Sequence, residues 1–212
     1  MFASVLSIDA QRALAVLAKN QTISNGYLAG GSALALWYGH RHSVDFDFFS
    51  AETFDPHVLS RELTTLGRFK EDIARGISLI GQFEGIKCSY FHYPYPLVET
   101  PIKFCGISVA HPHDIAAMKL VAITDRGTKK DYIDLYELVQ HKISLADMFG
   151  FYEKKYHKFE ENHFTLLKAL QYFDEADRSD MPDMIHTFSW DAVKRFFIAE
   201  AMRLGKQYIE ER

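Results

Sequence analysis

The segment between residues 30 and 47 concentrates the residue types that bind phosphate groups and metal ions. Asp45 and Asp47 lie in the run VDFDFF, which alternates apolar and acidic side chains, so a strand here puts both carboxylates on one face. Two carboxylates this close repel each other unless a cation compensates their charge. Because Mg²⁺ is commonly held by one or two carboxylates together with substrate phosphates, the spacing predicts a site for Mg²⁺ or Mn²⁺.

A glycine-rich turn precedes the acidic pair, and twelve residues separate Ser32 from Asp45. Gly30 and Gly31 let the backbone approach a phosphate group, and a helix opening at Ser32 offers unpaired N–H groups and a favourable dipole. Arg41 is a further candidate for contacting a nucleotide phosphate. A phosphate cradle beside two carboxylates suits phosphoryl or nucleotidyl transfer.

Each of these features also has a purely structural interpretation. A Gly-Gly pair is usually a turn, Ser32 is a good helix cap, and acidic residues are common on a solvated strand face. Arg41 is equally well explained as a solvated loop residue. What favours the functional interpretation is their order within residues 27–50: strand, glycines and serine, short helix, acidic strand.

Hydrophobic periodicity predicts the elements that position these residues. In the first half we expect helices over 7–19, 33–38 and 56–66, and strands over 26–29, 44–49, 77–83, 86–93 and 104–110. Ser7 is the predicted cap of the first helix, Gly39 closes the second, and Glu84-Gly85 forms a hairpin turn. After residue 111 we expect helices over 112–124, 128–141, 144–156, 161–175 and 189–209. The prediction is an α+β fold, with a mixed-sheet core over residues 1–110 and a helical part over 111–212 that completes the active-site cleft.

The composition is that of an ordinary globular protein. The chain has 212 residues, 48% hydrophobic and 25% charged, and its net charge of −4 argues against a strongly basic nucleic-acid-binding protein. Cys88 and Cys105 form neither a disulfide framework nor a CxxC metal pair. The most apolar stretch, 27–39, has thirteen residues, and the N-terminus lacks the features of a signal peptide. We therefore expect a cytoplasmic protein with no membrane partner.

The order of these elements resembles the nucleotidyltransferase fold related to DNA polymerase beta. Two segments, YLAGGSALALWYGHRHSVDFDFFS (27–50) and HPHDIAAMKLVAITDRGTKKDYIDLYELV (111–139), narrow the resemblance to the AbiEii/AbiGii toxin family. The resemblance implies a minimal nucleotidyltransferase core with a helical C-terminal part. It also implies an NTP-dependent toxin with a cognate antitoxin; several members are linked to phage abortive infection, and some modify the acceptor end of tRNA.

The resemblance also implies site residues in the second segment. The family's downstream lysine matches Lys119, and the acidic positions of its KDxxDL-like motif match Asp131 and Asp134. A lysine on a triphosphate offsets the charge that develops as pyrophosphate departs. The structural alternatives are a solvated helix face for Lys119, a capping box between Thr128 and Asp131, and a pair of Asp134 with Lys130.

One feature departs from many enzymes of this fold. They carry a third carboxylate on a neighbouring strand, where it helps to deprotonate the attacking hydroxyl. Here the candidate strand lies within residues 86–96, and no acid occurs between Glu84 and Glu99. Ser89 or Lys87 stands where that acid is expected. The general base is therefore unassigned, and either catalysis relies on positioning and charge stabilisation or the enzyme is degenerate.

The sequence thus favours transfer of a nucleoside monophosphate from Mg²⁺-NTP to an acceptor hydroxyl, with tRNA as a candidate acceptor and an antitoxin as a candidate partner. Two alternatives stay open. One is a transferase that modifies a small molecule such as an aminoglycoside. The other is an inactive nucleotidyltransferase-like protein that binds a partner.

Overall fold

The computed structural model describes residues 1–210, apart from the side chains of residues 159 and 160. The chain forms two compact units, one covering Met1–His111 and the other beginning at Pro112. Each unit buries an apolar core of its own elements. Within the described residues, no helix is long and apolar enough to cross a membrane.

The first unit is built on a seven-stranded mixed sheet. Its strands are β1 (Tyr27–Ala29), β2 (Phe46–Ser50), β3 (Phe69–Arg75), β4 (Ser78–Phe83), β5 (Ile86–His92), β6 (Ile102–Phe104) and β7 (Ile107–Val109). They lie in the order β3-β4-β5-β2-β1-β7-β6. β1 is antiparallel to β2 and parallel to β7, and β2 is parallel to β5. The predicted α+β fold with a mixed sheet is confirmed.

Four helices accompany the sheet: α1 (Ile8–Leu17), α2 (Gln21–Asn25), α3 (Gly30–Tyr38) and α4 (Pro56–Leu66). Ser7 caps α1 as predicted, because its hydroxyl oxygen accepts from the Ala10 N–H at 3.1 Å. In α3 every residue from 32 to 36 is buried, which explains a helix with no polar face. Gly39 ends α3 in the left-handed conformation (φ +68°), also as predicted.

Several predicted elements differ from the observed ones. The strand predicted over 104–110 is the end of β6 and all of β7, because Cys105 (φ +48°) and Gly106 (φ +84°) turn the chain between them. β3 and α2 were not predicted at all. The hairpin turn at Glu84 (φ +51°) and Gly85 (φ +80°) is confirmed, and its two left-handed residues suit the twist of β4 and β5.

The second unit is helical. Its helices are α5 (Pro112–Asp125), α6 (Lys129–Gln140), α7 (Leu145–Tyr156), α8 (Phe159–Ala169), α9 (Asp174–Arg178) and α10 (Trp190–Glu210). The helix predicted over 161–175 is therefore wrong in extent, since α8 ends at residue 169 and α9 is separate. The ring of Tyr132, which is fully buried, lies 5.0 Å from that of Phe173 and 5.5 Å from that of Phe197. This aromatic cluster joins α6 to α10.

A buried ion pair also holds the second unit together. Lys155 Nζ of α7 lies 2.8 Å from Asp114 Oδ1 of α5, and both side chains are 0% exposed. Two charges removed from water in this way are tolerated only as a pair, so the contact fixes α7 against the first turn of α5.

Candidate functional site

The turn at Gly30 places the backbone against Asp47, one of the two candidate metal ligands. β1 ends at Ala29, which pairs with Asp47 of antiparallel β2, and the chain then turns into α3 at Gly30 (φ +68°). A Cβ added to Gly30 would lie 3.1 Å from Asp47 Oδ2. Any other residue would therefore adopt an unfavourable backbone conformation and crowd the carboxylate.

Asp45 and Asp47 alternate with buried aromatic residues. Asp45 directly precedes β2 and Asp47 is its second residue; both are half-buried, whereas Phe46 and Phe48 are buried. Because successive side chains in a strand point to opposite faces, Asp47 lies on the face away from Phe46 and Phe48. The strand predicted over 44–49 begins two residues later than expected, so Asp45 lies outside it, and the shared face of the two carboxylates stays a prediction.

Ser32 has a different role in α3 from the predicted one. The helix begins at Gly30 with Ala29 as its N-cap, so the expectation that Ser32 opens the helix is wrong. Ser32 is 2% exposed, and its hydroxyl donates to the carbonyl oxygen of Asp45. Its oxygen also lies 2.7 Å from that of Ser43. The side chain thus links α3 to the segment that carries the acidic pair.

Arg41 lies in the loop between α3 and β2. It is 5% exposed, and its Nη1 donates to the carbonyl oxygen of His42 at 3.2 Å. The solvated-loop interpretation of this arginine is therefore wrong, because a guanidinium buried to this extent is held by the fold.

Ser89 occupies the position opposite Asp47 on the neighbouring strand. β5 runs parallel to β2 with Asp47 paired to Ser89 and Phe46 paired to Cys88. Paired residues of parallel strands point to the same face, so Ser89 shares the face of Asp47. Ser89 is 6% exposed, whereas Lys87 is exposed and pairs with Gln82 of β4. A hydroxyl thus stands where other enzymes of this fold have an acid.

Cys88 faces the opposite side of the sheet and is chemically inert. Burial raises the pKa of its thiol to about 12, and the negative charge of Asp47 adds to the effect. The thiol is therefore protonated at neutral pH and is a poor nucleophile.

Two carboxylates alone bind a metal ion only weakly when no substrate phosphate is present. Among residues 1–210, no group of three or more His, Cys, Asp and Glu side chains is arranged to hold an ion. Mg²⁺ keeps several waters and completes its coordination with substrate phosphates, so it does not need such a group. The carboxylates of Asp45 and Asp47, next to the glycine turn, fit an ion of this kind.

The second set of predicted site residues forms a buried ion cluster in the second unit. Lys119 of α5 is 4% exposed, and its Nζ lies 2.9 Å from Asp131 Oδ1 and 2.6 Å from Asp134 Oδ2. Both carboxylates belong to α6 and are 0% exposed. The solvated-face interpretation of Lys119 is therefore wrong, and the partner observed for Asp134 is Lys119 rather than Lys130.

Asp131 is the centre of this cluster. It forms the predicted capping box with Thr128, whose hydroxyl donates to Oδ2 at 2.6 Å, and Arg126 Nε donates to the same oxygen at 3.0 Å. Burial by itself would raise the pKa of Asp131, but Lys119, Arg126 and Thr128 outweigh it and hold the pKa well below its usual range. The carboxylate is thus ionised and fully engaged in the folded protein.

The predicted site residues therefore form two groups, one in each unit. Sequence reasoning did not single out Ser43 or Arg126, although each contacts a candidate residue. For Ser43 a signal was present, because a serine two residues before the acidic pair interrupts a run of charged and aromatic residues. For Arg126 the only signal was its nearness in sequence to the capping box.

Replacing Gly30 by alanine tests the close approach at Asp47. We expect a loss of stability of about 1–2 kcal/mol from the left-handed backbone. We also expect weaker Mn²⁺ binding, because the new methyl group would push Asp47 Oδ2 away. Gly76→Ala is the matched control: its φ is +58° and nothing lies within 4 Å of the added Cβ. Both substitutions should cost similar stability in urea unfolding, since both backbones are left-handed, and equal effects on Mn²⁺ affinity would contradict this role of Gly30.

Comparison with solved structures identifies the fold. The chain is similar to JHP933 from Helicobacter pylori, with a TM-score of 0.55 and 16% identity over 97% of this chain and 96% of that one. It is also similar to MenT4, a nucleotidyltransferase toxin from Mycobacterium tuberculosis, with a TM-score of 0.58 and 16% identity over 92% of this chain and 82% of that one. At these identities the similarity concerns the fold.

Sequence comparison identifies the family. The uncharacterized protein aq_aa25 from Aquifex aeolicus is 40% identical over 189 residues, which are 87% of this chain and 88% of that protein. Residues 12–94 and 88–196 match the family described as nucleotidyl transferase AbiEii toxin, Type IV TA system. These matches include both groups of candidate residues. The chain therefore belongs to the AbiEii family of nucleotidyltransferase toxins.

Proposed function

We propose that this protein transfers a nucleoside monophosphate from an NTP to an acceptor hydroxyl, with Mg²⁺ or Mn²⁺ as cofactor. In this reaction the acceptor oxygen bonds to the α-phosphorus, the bond from that phosphorus to the bridging oxygen of pyrophosphate breaks, and the hydroxyl proton is released. The observation that carries the proposal is the packing of the Gly30 turn against the Asp47 carboxylate. This packing places the backbone proposed to bind phosphate beside the side chain proposed to bind the metal ion.

Asp45 and Asp47 are the residues that would hold the metal ion. Both carboxylates are half-buried, that of Asp47 lies beside the glycine turn, and they present the oxygen ligands that Mg²⁺ prefers. When bound, the ion would neutralise charge on the triphosphate and orient it. The rest of the reaction depends on how the chain binds and orients its substrates.

Phosphate binding is assigned to backbone groups of the same turn. The first N–H groups of α3, at Gly31 and Ser32, lack partners within the helix, and the helix dipole favours an anion there. Arg41 is proposed to add a charged hydrogen-bond donor for a nucleotide phosphate. These contacts would hold the triphosphate in line for attack.

Lys119 is proposed to stabilise the charge that develops on the leaving pyrophosphate. Its ammonium group is held by Asp131 and Asp134 at 2.9 Å and 2.6 Å, so its position is fixed before substrate binds. In the proposal the two carboxylates are site residues that orient the lysine. The general base stays unassigned, because Lys119, Arg126 and Thr128 hold the buried Asp131 carboxylate and keep its pKa well below the usual range.

Membership of the AbiEii family supports a proposal for the acceptor and the partner of the reaction. We propose a polynucleotide acceptor, with the acceptor end of tRNA as the first to test, and a cognate antitoxin that restrains the activity. Because NTP and tRNA are cytoplasmic, the proposal assigns the protein to the cytoplasm. Fractionating the products after incubation with labelled NTP and total RNA tests the acceptor class. Label in tRNA supports the proposal, and label only in small hydroxylated molecules would contradict it.

One observation favours a second candidate function. Ser89 pairs with Asp47, in the place of the third carboxylate, so β5 supplies no strand base there. A protein that lacks this carboxylate and is inactive would bind NTP and a partner without catalysing transfer. If the protein is an enzyme that needs no strand base, substituting Ser89 by alanine should lower the rate by less than about tenfold. Metal-dependent NTP binding with no transfer to any acceptor would favour the binding protein.

A further inference from the structure

The loop that carries Asp45 has no regular secondary structure of its own. It runs from Gly39, at the end of α3, to the start of β2 at Phe46. Metal-binding carboxylates must be held to within a fraction of an ångström, and residues in loops are held less well than residues in strands. Contacts outside the loop must therefore fix its position.

The N-terminal segment supplies one set of these contacts. The Phe2 ring packs against Gly39 so closely that a Cβ there would lie 2.8 Å from the ring carbon Cγ. The N–H of Phe2 donates to the Leu36 carbonyl of α3 at 2.7 Å, and the N–H of Ser43 donates to the Val5 carbonyl at 3.3 Å. The backbone of the loop is thus tied to the segment that precedes α1.

Two hydroxyl groups supply a second set of contacts, and the donor in each of these hydrogen bonds can be identified. Ser32 has a single hydroxyl proton, which it donates to the Asp45 carbonyl, since a carbonyl can only accept. The contact of 2.7 Å between Ser32 and Ser43 must then be donated by Ser43. A chain of two hydrogen bonds therefore runs from Ser43 through Ser32 to the main chain of Asp45.

Both serines of this chain are buried, and Asp45 is half-buried. Ser32 is 2% exposed and Ser43 9% exposed. Without the Ser43 hydroxyl, the Ser32 oxygen would keep its bond to Asp45 but would lose the donor that fixes its rotamer. Ser32 also has no second proton to give, so its hydroxyl cannot donate to a substrate phosphate while it holds Asp45.

We propose that Ser43 is a positioning residue, which acts through Ser32 to set the main chain of Asp45 and so the placement of both carboxylates for a divalent cation. The inference rests on the proposed function, in which Asp45 and Asp47 bind that cation. It assigns Ser43 a role in the site, and it limits the contribution of Ser32 to phosphate binding to its backbone N–H.

The test compares Ser43→Ala, Ser43→Thr and a matched control, Ser60→Ala. Ser60 is also a buried serine of the first unit, 8% exposed, and it donates one hydrogen bond to Glu71 Oε2 at 2.5 Å. For each protein we would measure Mn²⁺ affinity by electron paramagnetic resonance with Mn²⁺ alone, kcat and KM for nucleotidyl transfer, and Tm. Loss of a group that orients a metal ligand typically costs 10–100-fold in metal affinity.

We expect Ser43→Ala to weaken Mn²⁺ binding by about tenfold and to lower kcat, with KM for NTP little changed. Ser43→Thr keeps the hydroxyl and should retain most of the Mn²⁺ affinity and most of kcat. Ser60→Ala should lower Tm as Ser43→Ala does, yet bind Mn²⁺ as the unsubstituted protein does. Wild-type Mn²⁺ affinity in Ser43→Ala, or an equal loss in Ser60→Ala, would overturn the role of Ser43.

Failure of the proposed function gives a different pattern. If the unsubstituted protein binds Mn²⁺ but transfers nothing, only the reaction is wrong, and the Mn²⁺ comparison still decides the role of Ser43. If it transfers nucleotides and Ser43→Ala is unaffected, only the role of Ser43 is wrong. If it binds Mn²⁺ neither alone nor together with NTP, both are wrong.

Discussion

Replacing Asp47 by asparagine should reduce nucleotidyl transfer by about 10²–10³-fold or more, the loss typical when one charge-stabilising group is removed from an active site. The reason is that the substitution removes one of the two carboxylates proposed to hold Mg²⁺ and leaves a neutral amide against Gly30. The first unit should stay folded and become slightly more stable without metal, because Asp45 no longer faces a like charge. Steady-state rates and thermal unfolding in EDTA measure the two effects.

Two further variants make this prediction specific. Asp45→Asn should behave as Asp47→Asn does, since the carboxylates act as a pair. Glu52→Gln removes an exposed acid just beyond the other end of β2 and should leave the rate unchanged. Full activity in either aspartate variant would show that this pair does not hold the catalytic metal.

Replacing Lys119 by methionine should destabilise the protein by about 3–5 kcal/mol, as expected when one partner of a buried ion cluster is removed. The substitution leaves Asp131 and Asp134, both 0% exposed, without the ammonium group that lies within 2.9 Å of each. Because that group is also proposed to stabilise pyrophosphate departure, transfer should fall even where the variant is folded. Urea unfolding and single-turnover rates separate the two losses.

The pH dependence of stability gives an independent check on the cluster. Lys119, Arg126 and Thr128 hold the pKa of Asp131 below its usual range, so this carboxylate stabilises the folded state above its unfolded pKa of about 4. That contribution is lost as the pH falls from there through the lower folded pKa. The free energy of unfolding should therefore fall below about pH 4, and less steeply in Lys119→Met.

Combining Lys119→Met with Asp131→Asn and Asp134→Asn should recover part of the lost stability, because no uncompensated charge remains buried. It should not recover transfer. If Lys119→Met alone were as stable as the unsubstituted protein, the cluster would contribute nothing to the fold. If it were destabilised yet fully active when folded, the lysine would have only a structural role.

Much of the first unit could be predicted from its sequence, because local patterns determine its elements. Strict alternation marks β2, and apolar spacing with Ser7 as cap marks α1. The failures also have physical reasons. β3 is an edge strand rich in charge, FKEDIAR, so it lacks the apolar alternation of a strand packed on a core. The split of the strand predicted over 104–110 depends on Cys105, a non-glycine residue in a left-handed conformation, which sequence statistics disfavour.

Features of the candidate site that involve residues close in sequence were predictable. Contacts between residues far apart in sequence were not. The glycine turn, the acidic pair and the capping box at Thr128 are local signals. By contrast, Ser32 meets the Asp45 carbonyl thirteen residues away, and Lys119 meets Asp131 twelve residues away. Such contacts depend on how the elements pack, which one sequence does not reveal.

The central claim is the transfer of a nucleoside monophosphate, and parallel reactions with α-³²P-labelled and γ-³²P-labelled NTP test it most directly. Each reaction would contain the purified protein, Mg²⁺ and total RNA, with Asp47→Asn as the inactive control. We expect the α label to enter the acceptor and the γ label to be released only as pyrophosphate, and we expect neither product from Asp47→Asn. Transfer of the γ label to the acceptor, or no transfer of either label from any of the four NTPs, would contradict the central claim.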